Sequence, residues 1–476
     1  MTPGGSEGVS AETLASISTP DRVETRIGVL EFFDGLPSST TVEAVYENLD
    51  LLRGVEVFLR FIPAASLYAM REGQRSVGVE RSNQIGVVDR MTSASIYLTA
   101  NTDTSYGSGF LDLARFGATV VEVPPNSLGF VNDFWFRWVA DLGNAGPDRG
   151  AGGKYLIVPP GWDGDLPDGY FTYKSPTYTN WLLVRALDGL DALRAGLRVY
   201  PLAASADPSP VEFVTIAGRA FNTVHANDFH FFEEVDAVVQ EEPLEALDPE
   251  ARGLLAAVGI VKGRTFAPDA RMLALLVEAA AIGNATARAI AFKPRDPRLY
   301  FYPDSSWKMA WVADSLEFLA DGARVLDGRT LFFYLATGIS PAMAAAPPGV
   351  GSRYAWTAED ADGAWLDGAR RYRLRLPRDI PAKNFWSVAV YDTQTRSLLQ
   401  TADPHPSLSN LTGTVRQNPD GSTDVYFGPA PPEGRESNWI QTIAGKGWFT
   451  ILRLYGPLEP WFDKTWRPGE IEAAND

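Results

Sequence analysis

Cysteine is absent from all 476 residues. Its absence removes disulfides, thiolate zinc sites, iron–sulfur clusters and cysteine nucleophiles together. Histidine is nearly absent too, with only His225, His230 and His405. Basic residues are outnumbered: 42 Lys and Arg stand against 59 Asp and Glu, a net charge of −17. A chain so acidic lacks the basic footprint that nucleic acid or an anionic membrane surface demands, so neither is the expected partner. Long apolar runs are missing as well. The most apolar window, Met272 to Ile282, is short and contains Glu278, so it reads as a buried helix and no membrane span is expected. The first basic residue is Arg22 and no apolar stretch follows Met1. No signal peptide is therefore expected, and a cytoplasmic location is.

What is present is globular material. Apolar residues make up 45% and charged residues 21%, with 13 Trp, 25 Phe and 17 Tyr to fill cores. Residues 1–20 are small and polar and read as a flexible arm. A helix is expected from about Thr41, with Thr40 and Glu43 as a capping box and Pro63 ending it near Phe61. From Asn83 to Lys174 the texture is β-rich. Runs at Ile85–Val88, Ser95–Thr99, Ala118–Val123, Phe130–Val139, Lys154–Val158 and Tyr170–Tyr173 suggest a barrel or sandwich. Helices are expected at Asn180–Leu197, Phe231–Gln240, Pro249–Val258 and Pro268–Phe292. Ala342–Gly351, rich in Ala, Pro and Gly, reads as an exposed link to a β-rich end with strands at Arg371–Leu376, Phe385–Tyr391, Thr423–Phe427 and Trp448–Tyr455. The architecture is α+β: a mixed barrel or sandwich and helical N-terminal region over residues 21–341, then an all-β domain over residues 352–476.

Few chemistries survive these absences. His225 and His230 flank Asp228, but a five-residue separation serves one face of neither a helix nor a strand, so no metal and no cofactor is expected. Gly107-Ser-Gly109 lacks the spacing of a nucleophile elbow and reads as a turn. Carboxylate, amide, arginine and aromatic chemistry remains. If Phe130–Val139 is one strand, Asp133, Trp135 and Arg137 share a face, suited to hydrogen-bonding and stacking a polar ring in a cavity; a rim ion pair is the plainer reading. Asn101-Thr-Asp103-Thr-Ser-Tyr106 packs an amide, hydroxyls and a carboxylate into one loop, although turn chemistry alone accounts for such a run. Asp392 and Arg396 read as the staple of a turn and Asn418–Ser422 as a hairpin turn. Asn438, Trp439 and Arg453 are ligand candidates, since an indole beside an amide stacks and orients a ring.

These residues carry a resemblance. Asn101-Thr-Asp-Thr104 with Tyr106, Phe134-Trp-Phe-Arg137, Tyr391-Asp-Thr-Gln-Thr-Arg396, Asn418-Pro-Asp-Gly-Ser422, Ser437-Asn-Trp439 and Leu452-Arg-Leu-Tyr-Gly-Pro-Leu-Glu459 resemble, in this order, bacterial proteins with two paired domains of unknown function. These are DUF 1254 in the N-terminal part and DUF 1214 at the C-terminus. The ending Lys464-Thr-Trp-Arg-Pro-Gly-Glu470 fits the same pattern, and Ala100 departs from it where a proline is expected. The resemblance implies a jelly-roll-like C-terminal β-sandwich, a scaffold that serves enzymes, lectins and capsids alike. Three functions follow as expectations. The first is a metal-independent hydrolase of a polar, ring-bearing or glycan-like small molecule, with Asp103 or Asp133 as acid or base, Arg137 orienting and Trp439 stacking. The second is a non-catalytic protein binding such a ligand through the same residues. The third is an assembly protein forming a homo-oligomer through its jelly roll.

Overall fold

The computed structural model describes residues 9–474 apart from Ala310 and Ala346. Residues 1–8 of the expected arm lie outside the described residues; the rest of it holds an exposed helix, Ala11–Ile17, capped by Ser10. A small antiparallel sheet follows, built from Arg22–Thr25, Gly28–Phe33 and Leu36–Pro37.

The next helix, Ser39–Arg75, is capped by Ser38 rather than Thr40 and does not stop at Pro63. The proline removes one helical hydrogen bond. Phe58, Phe61, Ile62, Ala64, Ala65 and Leu67 around it are all buried, so packing outweighs that local loss. This helix lies along Ala270–Phe292, where Gly54 and Gly283 allow close approach: a Cβ at Gly283 would sit 2.7 Å from the Phe58 ring. Ala270–Phe292 is long and apolar enough to cross a membrane by length and composition. One side of it is buried through Leu276, Ala279, Ala280, Ala287 and Ala291, whereas Leu273, Val277 and Ile282 are exposed. In the window Met272–Ile282 only Leu276, Ala279 and Ala280 are buried, so the expected buried helix is mostly exposed there.

Two stacked sheets form the N-terminal half. The larger runs, in spatial order, through Glu212–Thr215, Gln84–Val88, Ser105–Asp112, Thr179–Ala186, Ser127–Asp133 and Trp138–Gly143. The smaller comprises Phe171–Lys174, Gly153–Val158, Thr119–Val123 and Arg198–Pro201. Val87, Leu111, Val131, Val184, Val121 and Ile157 pack between them. Among the described residues no sheet closes into a barrel. Three expectations are corrected here. Ser95–Thr99 forms no strand, only a bridge from Ile96 to Asn222. Asn180–Leu197 is not one helix: it is a central strand to Ala186, then a short helix Leu190–Gly196. Phe130–Val139 is not one strand but the turn of a hairpin between Ser127–Asp133 and Trp138–Gly143.

Two further sheets form the C-terminal half. One orders Lys308–Met309, Ser352–Thr357, Trp448–Pro457, Ala382–Asp392 and Ser407–Ser409; the other orders Trp439–Gln441, Thr423–Gly428, Tyr372–Leu376 and Ile471–Ala473. Leu374, Val388, Val425 and Leu452 lie in the core between them. Lys308–Met309 reaches this sheet from upstream of the expected link. The link itself is mixed: Pro341–Ala344 is a helical turn with Ala344 buried, whereas Pro347, Pro348 and Val350 are exposed. The largest core lies between the two halves, and helices, the six-stranded sheet and the five-stranded sheet all contribute to it. The chain is a mixed α+β protein whose two β-rich halves meet across a helical layer.

Candidate functional site

Strand alternation builds the site. In Thr179–Ala186, Leu182 and Val184 point into the N-terminal core, so Trp181, Leu183 and Arg185 point the other way. Ser105–Asp112 repeats the pattern, with Leu111 in the core and Tyr106 and Ser108 opposite. Gly107-Ser-Gly109 therefore lies inside a strand and is not a turn; a Cβ at Gly107 would come within 2.8 Å of Leu193. On the C-terminal side Leu452 and Leu454 enter their core, leaving Ile451 and Arg453 to face back, and Tyr354 and Trp356 do likewise around Ala355. The two outward faces, one from each half, enclose a cavity of about 190 Å³.

Two Tyr–Arg pairs form its polar wall. Tyr106 is the cross-strand neighbour of Arg185, and Tyr354 that of Arg453. The Arg185 guanidinium lies 5.4 Å from the Tyr106 ring centre and its Nη2 donates to the phenol at 3.3 Å. Arg453 is buried, donates from Nη1 to Tyr391 Oη at 2.5 Å and from Nη2 to the Thr99 carbonyl at 2.7 Å, and stands 5.6 Å from the Tyr354 ring centre. Both guanidiniums feel the same two phenols, Tyr354 and Tyr455, which places the pairs side by side. Burial alone would lower the pKa of each arginine; the surrounding phenols outweigh it and raise both. Neither arginine has a carboxylate ion-pair partner among the described residues.

The loop Asn101–Tyr106 does two jobs. Asn101 Oδ1 accepts from the Asp103 amide at 2.8 Å, which is the turn chemistry its composition suggests. Asn101 Nδ2 also donates to Tyr106 Oη at 3.1 Å and so fixes the phenol at the cavity. Burial pushes the Tyr106 pKa up, but Arg185, Thr104, Asn101 and Arg453 together bring it below the ordinary tyrosine value. Asp103 does not line the cavity but stands behind Arg453; burial raises its pKa, against Ser387, Arg453 and Arg90. Thr99, on the cavity wall, holds φ at +40°, and the Arg396 carbonyl that accepts its amide at 2.9 Å belongs to a residue at φ +59°. A β-branched residue in the left-handed region is strained, and here its carbonyl holds Arg453 in place.

Other residues singled out in the sequence sit elsewhere. Asp133, Trp135 and Arg137 do not share a strand face, because the chain turns at Phe134–Arg137 with Phe136 at φ +60°. Asp133 is buried and accepts from the amides of Trp135 and Arg137 at 2.9 Å each and from Arg137 Nε at 2.7 Å. Its pKa is raised by burial against those bonds. None of the three lines the cavity. Asn438 is tied to Arg416 and Asp424 backbone, and Trp439 Nε1 donates to the Gly428 carbonyl at 3.0 Å, both away from the cavity. Asp392 staples the expected turn, its carbonyl accepting from the Arg396 amide at 2.8 Å and its Oδ1 from the Gln394 amide at 2.7 Å; its carboxylate pairs with Lys446, while the buried Arg396 guanidinium lies 4.0 Å from the Tyr334 ring centre. Asn418–Ser422 is the expected turn, closed by Asn418 N to Ser422 O at 2.7 Å.

His225 is buried and its pKa falls to about 3, through burial and then the nearby Arg396; His230 is exposed and pairs with Asp228. Among the described residues no group of three or more Asp, Glu or His converges as metal ligands. Of the residues the sequence points to, Asn101, Tyr106 and Arg453 line the cavity; Arg185 and Tyr354 line it too but belong to no motif the sequence shows. The Trp181, Leu183, Arg185 alternation was the available signal for Arg185, hidden by the helical reading of its segment.

A solved structure agrees with the fold: the VPA0106 protein from Vibrio parahaemolyticus is similar over 90% of this chain and 100% of its own, at 16% identity and a TM-score of 0.54. A putative uncharacterised protein from Burkholderia cenocepacia is similar over 92% of this chain and 97% of its own, at 14% identity and a TM-score of 0.41. No curated protein matches. Family models match residues 82–201, as DUF1254, protein of unknown function, and residues 351–459, as DUF1214, protein of unknown function. The chain carries these two domains in that order, DUF1254 in its N-terminal part and DUF1214 in its C-terminal part.

Proposed function

We propose that this is a small-molecule-binding protein and that the cavity between its two β-rich halves is the binding site. One observation carries the reading: side chains from both halves converge there, with arginine, tyrosine and asparagine on one wall and Phe130, Leu183, Leu335 and Met343 on the others. Such a largely apolar pocket with a few convergent polar groups is the usual form of an organic-ligand site. The C-terminal pair of sheets reads as a jelly-roll-type sandwich that supplies Arg453 and Tyr354 to it. Filling the pocket tests this. Leu183→Trp should leave the fold intact by circular dichroism and abolish saturable quenching of tryptophan fluorescence by small organic ligands. Ligands that bind the filled variant as they bind the parent chain would overturn the reading.

A hydrolytic reading stands second, favoured by the Asp103 carboxyl, whose pKa burial raises beside Arg453. A carboxyl of that kind suits acid–base work. Under this reading Asp103→Asn retains ligand binding and loses turnover; an unchanged rate rules Asp103 out.

A further inference from the structure

We propose that the ligand's polar end is a single carboxylate held between Arg185 and Arg453, and that the ligand class is an aryl- or alkyl-monocarboxylic acid. This rests on the reading of the cavity as a small-molecule site and narrows it. A guanidinium cannot shed its proton to escape burial, as a buried acid or lysine can gain or lose one. Its charge must be met by an anion or by oriented acceptors. Arg453 is 4% exposed, and the acceptors it has are one phenol and one carbonyl. Arg185 has one long hydrogen bond, to a phenol. Two cations side by side with no carboxylate in ion-pair contact among the described residues form an incomplete arrangement, which an incoming anion completes.

The rest of the wall holds unsatisfied polar atoms of both kinds. Among the described residues Nε1 of Trp356, on the cavity wall, is a buried donor without a hydrogen-bond partner, as is Tyr455 Oη, which lies beside both arginines but off the lining, whereas Oε1 of Gln74 on the wall is a buried acceptor without one. Donors left unsatisfied in a buried site call for acceptors on the ligand. A carboxylate supplies them at the arginine end. Charge argues for a monoanion. Asp103, behind Arg453, offsets part of the positive charge when ionised, so a phosphate dianion would overfill the site. The remaining walls fix the body of the ligand, because Met91, Phe130, Leu183 and Leu335 make much of their surface apolar. A dry cavity of roughly 150 Å³ holds benzene. At about 190 Å³ this one has room for a ring or short chain plus the carboxylate.

Titration of the full chain at neutral pH, followed by tryptophan fluorescence, tests the proposal with 3-phenylpropionate and octanoate against 3-phenylpropanol, 1-octanol and inorganic phosphate. The acids should bind about ten- to hundredfold more tightly than the matched alcohols, the range expected for charge-assisted hydrogen bonds, and phosphate should not compete. Arg185→Gln should erase the difference between acid and alcohol while leaving alcohol binding in place. Arg185 is chosen over Arg453 because Arg453 also ties Thr99 and Tyr391 together. Alcohols that bind as tightly as acids, and lose binding in Leu183→Trp, would overturn the carboxylate and leave the pocket reading standing. Phosphate that displaces the acids would overturn it in favour of a phosphoryl ligand. If none of the five probes binds, the monocarboxylate class is wrong. Probes that bind Leu183→Trp as they bind the parent chain would sink the pocket reading with it.

Discussion

Two arginine environments separate what folds this protein from what it is built to receive. In the hairpin turn Phe134–Arg137, Arg137 meets a buried Asp133 and also donates to the Ala246 carbonyl at 2.7 Å. The guanidinium there has a carboxylate and a carbonyl as acceptors inside the chain, and the pair fixes a reversal that the aromatic sequence Phe134-Trp-Phe136 would not make alone. Across the cavity wall, Arg185 and Arg453 meet phenols and one carbonyl and, among the described residues, form no ion pair with a carboxylate. The same residue type is closed in one place and open in the other. Here an acid close in sequence pairs with the structural arginine, and among the described residues none pairs with the two on the cavity wall.

The sharpest break between them is expected at Asp133. Its removal strands the amides of Trp135 and Arg137 at a buried position and takes the carboxylate partner from the exposed Arg137 guanidinium. Asp133→Ala should cost about 3 kcal/mol in urea unfolding, by loss of a buried partner. Ligand affinity of the folded fraction should not change. Lost affinity with stability retained would instead place Asp133 in the site and dissolve the comparison.

A buried acid without a cation sharpens it from the other side. Among the described residues Glu234 accepts only from the Ala226 amide, at 3.1 and 3.2 Å, and its pKa rises to about 8, through burial first and then Asp228 and Glu233. Where an arginine would stay charged, this carboxyl takes up a proton. The folded state then holds a proton that the unfolded state releases near its ordinary value of 4.5. Its contribution to stability is full below that value and is lost as pH rises through about 8. Glu234→Gln should remove this dependence and make the variant more stable than the parent at alkaline pH, by on the order of 2 kcal/mol. Parallel stability profiles for the two proteins would show that Glu234 is ionised throughout. Glu242, with a pKa raised to about 7 mainly by burial, adds a slope of the same sign to both proteins, so the difference isolates Glu234.

What the sequence showed followed from local rules. The strands Thr119–Val123, Gly153–Val158 and Thr423–Gly428 are marked by β-branched and aromatic runs between turn residues. The helices His230–Glu241, Pro249–Ala257 and Ala270–Phe292 were legible from apolar spacing and aspartate or proline at their starts. Legibility failed where long-range packing overrode local preference. Trp181-Leu-Leu-Val184 is apolar on consecutive residues because both faces of its strand are covered, and such a run mimics a buried helix. Pro63 continues a helix because the residues around it are buried. The site was half legible for the same reason. Asn101 and Tyr106 sit in one polar loop and Arg453 stood out in a β-rich run, but their partners Arg185 and Tyr354 join them only through strand pairing across the fold.

The smallest effect is the most telling. If Arg185 is held for a ligand, the empty protein carries its charge at a cost, and replacing it with an apolar side chain of similar length should not destabilise the chain. Buried charges exchanged for well-packed apolar groups are often neutral or favourable. Residues kept for binding commonly lie off the stability optimum. Arg185→Met should therefore unfold in urea at the same stability as the parent, or up to about 1 kcal/mol above it, when both are free of ligand. Adding 3-phenylpropionate should then stabilise the parent and not the variant, since only a chain that binds the acid gains from it. A ligand-free loss of about 2 kcal/mol or more would show that the guanidinium is already satisfied by Tyr106 and its neighbours. Arg185 would then belong with Arg137, as a group that holds the fold, and the cavity wall would be structural.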